Sequence, residues 1–206
     1  MRHWQSFLGL IVVACTTPAL ADDDRHHRKA ADDIAQRINA YRLSVGLPAV
    51  SRSEALDAVA QAHVADLAAN CPDRGTDARG RPCNLHSWSR RGPWSPVCYT
   101  ADHAYSTGMW NKPAELTRGA YQGIGVEIAT KSPAGVSAKE AVAGWKSSPA
   151  HQTVIVERGA WANFRWQAMG VAAGGDYAIV WFGAQPDRTR FSFDQNRPAV
   201  ASRRSR

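Results

Sequence analysis

The chain has 206 residues, 44% of them hydrophobic and 21% charged, with a formal net charge of +7. That length and apolar content suffice for one domain with a substantial core. The positive charge does not argue for specific nucleic-acid binding, because the segment from Pro186 to Arg206 holds six Arg against two Asp and the remainder is close to neutral.

The chain opens with Arg2, an apolar run from Phe7 to Ala14, and Ala19-Leu20-Ala21. A basic start, a short apolar middle and an Ala-x-Ala end predict a secretory signal peptide, residues 1–21, cut after Ala21. The run is too short to span a bilayer, so no transmembrane span is expected once it is removed. A rival reading takes Val12-Val13-Ala14-Cys15 as a lipoprotein signal with Cys15 lipidated. The expected organisation is a folded domain over residues 22–185 and a basic, disordered tail over 186–206. The expected location is secreted or periplasmic. Export permits disulfides. Cys71 and Cys83 bracket a polar loop and form the preferred pair; Cys98 is then unpaired, or it displaces one of them.

Residues 22–28 are polar and are expected to fray. From Ala30 to Val45, Ile34, Ile38, Tyr41 and Val45 recur at helical spacing, and Gly46 and Pro48 end the helix. Ser51 and Glu54 make a capping box for a second helix that runs to about Asn70. His63 lies on its apolar stripe, with Leu56, Val59, Ala60, Val64 and Leu67, and reads as a core histidine with its hydrogen bonds satisfied. Cys71 to Tyr121 is long and irregular, a pattern typical of functional or cross-linked loops. It carries His86 and His103.

Ile124 to Ala129 reads as a buried strand with Glu127 as its single charge. Such a carboxylate needs a partner or a raised pKa. Gly123 and Gly125 lack the rest of a dinucleotide fingerprint, so no nucleotide cofactor is expected. Ser137 and Glu140 form another capping box, which accounts for Glu140 structurally. Ser148 suits an N-cap and Pro149 the first helical position, which puts His151 in the first turn of a new helix. The helix dipole there disfavours the imidazolium, and neutral imidazole is the form that binds metal or accepts a proton. Met169–Ala173 and Tyr177–Phe182 alternate as two strands joined near Gly174-Gly175.

Several of these segments together resemble one family. They are Ile38-Asn39-Ala40-Tyr41-Arg42 with Gly46-Leu47-Pro48, Ala60-Gln61-Ala62-His63 with Asp66-Leu67-Ala68, His86-Ser87, and Trp145-x-x-Ser148-Pro149-x-His151 followed by Gly170-Val171. In this order they resemble the bacterial form of the CAP superfamily, the SCP/CRISP/pathogenesis-related-1 group. The resemblance implies an α+β fold, an α-β-α sandwich around a central, mainly antiparallel sheet. It also implies a cleft with two histidines and acidic residues that binds a divalent metal in some members. The histidines carry over to His86 and His151. The family's first acidic residue corresponds to Glu127, which stands one place later than in the family's run. On a strand that shift moves the side chain to the opposite face unless a bulge restores it.

The resulting expectation is a binding module with His86, His151 and Glu127 as metal ligands, for Zn2+ or another divalent ion. The family also includes lipid binders, which implies a small apolar ligand as an alternative. A second expectation is a hydrolase using His86, His151 or Glu127 as acid–base groups, with or without a metal-activated water, on an extracellular ester, peptide or wall bond. No Ser or Cys nucleophile sits in a recognisable elbow. The Arg-rich tail is a candidate binder of an envelope polyanion, with a solubilising role as the simpler reading.

Overall fold

The computed structural model describes residues 18–188. The apolar run of the expected signal peptide, Cys15 and the tail beyond Arg188 lie outside the described residues. Four strands form one mixed sheet: β1 (Ser51–Arg52), β2 (Gly125–Lys131), β3 (Ala168–Gly174) and β4 (Tyr177–Gly183), in the order β1-β3-β4-β2. β3 and β4 make the expected hairpin. Its turn is Gly175-Asp176, and Gly175 takes the left-handed conformation at φ 53°. β2 is antiparallel to β4, and β1 runs parallel to β3.

Side-chain alternation along the strands separates two cores. Met169, Val171, Ala178, Val180 and Phe182 face Ile34 and Ile38 of α1 (Pro18–Ser44) and Val142 and Trp145 of α5 (Ala138–Ser147). The same core takes Ile155 from α6 (Pro149–Ile155). Ala168, Ala172, Ile179 and Trp181 face Leu56, Val59 and Leu67 of α2 (Glu54–Asn70). The sheet is therefore covered by helices on both faces, the sandwich the resemblance implied. Gly170 allows α2 to lie against the sheet, since a Cβ there would come within 2.1 Å of the Leu56 backbone. β2 obeys the same alternation: Val126 and Ile128 face α1 and α5, so Glu127 points toward α2.

Three local expectations are corrected. Residues 22–28 continue α1 instead of fraying. The His27 ring lies over Gly174, where the missing side chain leaves it room. Val45 is exposed at the turn after α1 instead of lying inward. The cap of α2 is Ser53, whose hydroxyl accepts from Leu56 N at 3.0 Å. Ser51 is drawn into β1, and Ser53 N donates to Met169 O. Ser148 is the N-cap residue of α6, as expected, although its side chain makes no capping hydrogen bond.

The disulfide joins Cys83 to Cys98, with Cα atoms 5.0 Å apart, and Cys71 is a free thiol. Cys98 thus displaces Cys71 from the preferred pairing. The reason is a backbone pairing inside the long loop. Trp88 and Val97 exchange N–H···O bonds, and Asn84 N donates to Tyr99 O, which sets residue 83 against residue 98. Cys71 instead takes the left-handed C-cap position of α2 at φ 47°. The later part of this region contains two short helices, α3 (Ser106–Trp110) and α4 (Lys112–Leu116). Closing a loop of 15 residues constrains the unfolded chain by about 3 kcal/mol. A Cys83→Ser/Cys98→Ser variant is expected to lose about 2–4 kcal/mol in urea unfolding; an unchanged midpoint would contradict the pairing.

Candidate functional site

The site is built around Glu127. Its side chain is fully buried, and both carboxylate oxygens are engaged by imidazoles. Oε1 lies 2.7 Å from His86 Nδ1, and Oε2 lies 2.5 Å from His63 Nδ1. The one-place shift of the glutamate therefore does not take it away from His86. His63 is delivered by α2 and has no solvent exposure; its Nε2 lies 2.9 Å from Ser87 O. The expectation of a satisfied core histidine holds, and its partner is the candidate site itself.

The loop bearing His86 is fixed to α2 at two further places. Asp66, one helical turn beyond His63, accepts from Ser89 N at 2.7 Å and from Ser89 Oγ. Ser87 is buried, and its hydroxyl accepts from Tyr99 N at 2.9 Å. Trp88 stacks on His63, with centroids 4.0 Å apart and planes 10° from parallel. His86 itself is half-buried, its ring edge-on to Tyr99.

His151 comes from the other side of the sheet, in the first turn of α6. That helix is held from behind by Arg42, whose guanidinium is buried and donates to Ile155 O, Pro48 O and Glu157 Oε1. β2 is an outer strand of the sheet, so α6 and the His86 loop approach its edge from opposite layers. His151 hydrogen-bonds to neither His86 nor Glu127 in any described contact. The two histidines nevertheless sense each other: burial lowers the His151 pKa, and proximity to His86 lowers it further. His151 therefore favours the neutral form.

Burial alone would raise the pKa of Glu127. The charge of His63, its hydrogen bond, and those of His86 outweigh that effect and lower it. The carboxylate is thus an anion held in a dry core by two imidazoles. His103 lies apart from Glu127, exposed, with Nδ1 3.0 Å from Tyr99 Oη. The structure brings His86 and Glu127 into contact, sets His151 near them, and adds His63, Asp66 and Trp88. The sequence signal for the additions is the pair His63 and Asp66, two polar side chains on one buried helix stripe.

A groove of about 640 Å³ lies at the opposite part of the sheet, between α1, α2 and β3, lined by Ala31, Asp57, Val64, Ala68 and Ala173 among others. It contains none of the candidate site residues.

Sandwich and carboxylate–imidazole cluster together define an α+β domain with a histidine-bearing sheet edge. The chain belongs to the CAP, or cysteine-rich secretory protein, family, whose sequence pattern it matches over residues 35–181. No curated protein matches it. Among solved structures it is similar to an extracellular protein containing an SCP domain from Bacillus anthracis, at 16% identity and TM-score 0.56, over 84% of this chain and 45% of that one. It is also similar to a cysteine-rich secretory protein from Staphylococcus aureus, at 12% identity and TM-score 0.49, over 77% and 40% of the two chains. An outer surface protein from Borrelia burgdorferi gives 14% identity and TM-score 0.48, over 76% and 93%. The chain spans less than half the length of the first two.

A group whose folded pKa lies below its unfolded value adds stability that is present above the unfolded value and lost as pH falls through the folded one. Glu127 is such a group. Thermal midpoints of the native protein are therefore expected to fall below the ordinary carboxylate range. Glu127→Gln should lower the midpoint at pH 7 and flatten that acid slope. Parallel slopes for the two proteins would show that Glu127 is not held as a buried anion.

Proposed function

We propose that the protein is an exported binding module whose His86–His151 edge captures a divalent metal ion. The observation that carries this reading is the 2.7 Å contact between His86 Nδ1 and Glu127. With its Nδ1 proton directed to the carboxylate, His86 keeps a lone pair on Nε2, as in carboxylate–histidine–metal arrangements. His151, favouring the neutral form, supplies a second imidazole. Glu127 is not a direct ligand in this reading, since both its oxygens are occupied. It orients His86 from behind.

Among the described residues no group of three His, Cys, Asp or Glu side chains converges in a way that could hold a metal ion. The donor set fits an exchangeable ion on two imidazoles rather than a structural zinc with four protein ligands. When bound, the ion would supply positive charge and open coordination positions for a ligand or water. The apolar ligand implied by the family resemblance would find room in the groove at β3, not beside the histidines.

A binding role is favoured over hydrolysis because, among the described residues, no hydroxyl or thiol hydrogen-bonds to His86, and the Ser87 hydroxyl is buried against Tyr99. Export is supported by the basic start and apolar run of the first 21 residues and by the disulfide. Among the described residues no helix is long and apolar enough to cross a membrane.

Calorimetric zinc titration tests the site. His86→Ala and His151→Ala are each expected to weaken binding at least about tenfold, and Glu127→Gln about 10–100-fold. Native affinity in both alanine variants would reject this reading.

A further inference from the structure

The outer edge of β3 is mostly open. β1 pairs with β3 only at Ala168 and Met169, and β3 runs on through Gly170–Gly174. Backbone groups of successive strand residues point to alternate sides within the sheet. Ser53 N donates to Met169 O, so the N–H and C=O groups of Met169, Val171 and Ala173 face away from β4. Val171 N finds a side chain, donating to Asp57 Oδ1 at 2.7 Å. Among the described residues nothing pairs with Val171 O or with either backbone group of Ala173. The groove of about 640 Å³ runs along this edge, with Val64, Ala65 and Ala68 of α2 on one wall and Arg28 and Asp32 of α1 on the other. An unpaired sheet edge lying between two helices with small side chains has the shape of a slot for one extended strand.

We propose that the occupant of this slot is the chain's own segment Arg190–Phe193, docked as a short strand parallel to β3. The described chain leaves at the mouth of the slot. Asp187 Oδ2 accepts from Ser53 Oγ at 2.7 Å and from Ala55 N at 3.2 Å, beside the bond that ties Ser53 N to Met169 O. Arg188 therefore stands next to the end of β1, and the line of β1, continued, follows the open edge. Thr189-Arg190-Phe191-Ser192-Phe193 comes next in the sequence. Four extended residues span about 13 Å, the same run as Val171–Gly174. Counted on from Arg188 beside Met169, Phe191 falls level with Ala172 and Phe193 with Gly174. Phe191 N then donates to Val171 O, Ala173 N to Phe191 O, and Phe193 N to Ala173 O, so every open group of the edge gains a partner. The pleat decides the side chains. Ala172 faces α2, so both phenyl rings meet Val64, Ala65 and Ala68. Val171 faces the α1 side, so Arg190 meets Asp32, whose carboxylate already pairs with Arg52 at 3.1 Å. A register one residue out would turn the rings onto Arg28 and Asp32.

This assignment is independent of metal capture, and an apolar ligand entering the groove would have to displace the segment. Amide hydrogen exchange of the full chain, read by NMR, tests it. In the native protein the Ala173 amide should be protected, because it has an acceptor. Phe191→Asp/Phe193→Asp should speed its exchange about 100-fold. The Ile179 amide, which pairs with β3 inside the sheet, should stay protected in both and so reports that the fold is intact. Arg190→Glu should speed Ala173 exchange by a smaller factor, about tenfold. Equal Ala173 exchange in the native protein and the double variant, with Ile179 protected in both, would overturn the proposal. Protection of Ala173 that falls on dilution, together with a doubled mass in sedimentation, would assign the slot to the segment of a second copy and overturn it as well. If the double variant does not fold, the native chain decides. Nuclear Overhauser contacts between the Phe191 ring and the Val64 methyls are expected, and their absence would reject the docking.

Discussion

One carboxylate sets the terms for the site. A glutamate on a strand covered by helices on both faces has no water to turn to, so its charge must be met by protein donors. Two imidazoles meet it, and they come from segments far apart in sequence: α2 and the loop closed by the disulfide. Each therefore has to arrive at a defined height over β2. The contacts that accompany them serve the same end. Asp66 receives Ser89, Ser87 receives Tyr99, and Trp88 packs on the His63 ring. The loop lacks long regular structure, yet it is tied to α2 and to itself at several points around the residue that reaches the cleft.

The sheet order separates two candidate regions. β2 carries the charged cluster, while β3, beyond β4, borders the groove between α1 and α2. A polar, proton-bearing edge and a mixed groove of small residues thus share one sheet without sharing a residue. The titratable cluster lies at the β2 edge, where His86 and His63 both engage Glu127.

Much of this was readable in the chain, and what was missed shares a cause. Helical spacing of Ile34 and Ile38, the Ser148-Pro149 step before His151, and the alternation in β3 and β4 are local signals, and each produced its element. His86, His151 and Glu127 came from residue patterns, and Glu127 does reach His86. The misses came from partners remote in sequence. Ser51 looked like a helix cap until β3 took it into the sheet and left Ser53 to cap α2. Cys71 lay close to Cys83 in the polar loop, but the Trp88–Val97 pairing brought Cys98 to it instead. His63 was correctly placed in the core; its role beside Glu127 depended on how α2 crosses β2, which no spacing within α2 encodes.

The covalent link between Cys83 and Cys98 encloses His86, Ser87 and Trp88, the stretch that faces α2 and the cleft. Chain maturation is thereby coupled to redox environment. Under reducing conditions this stretch would lack its covalent closure. The order of the stretch that carries His86 thus depends on a bond that forms only under oxidising conditions.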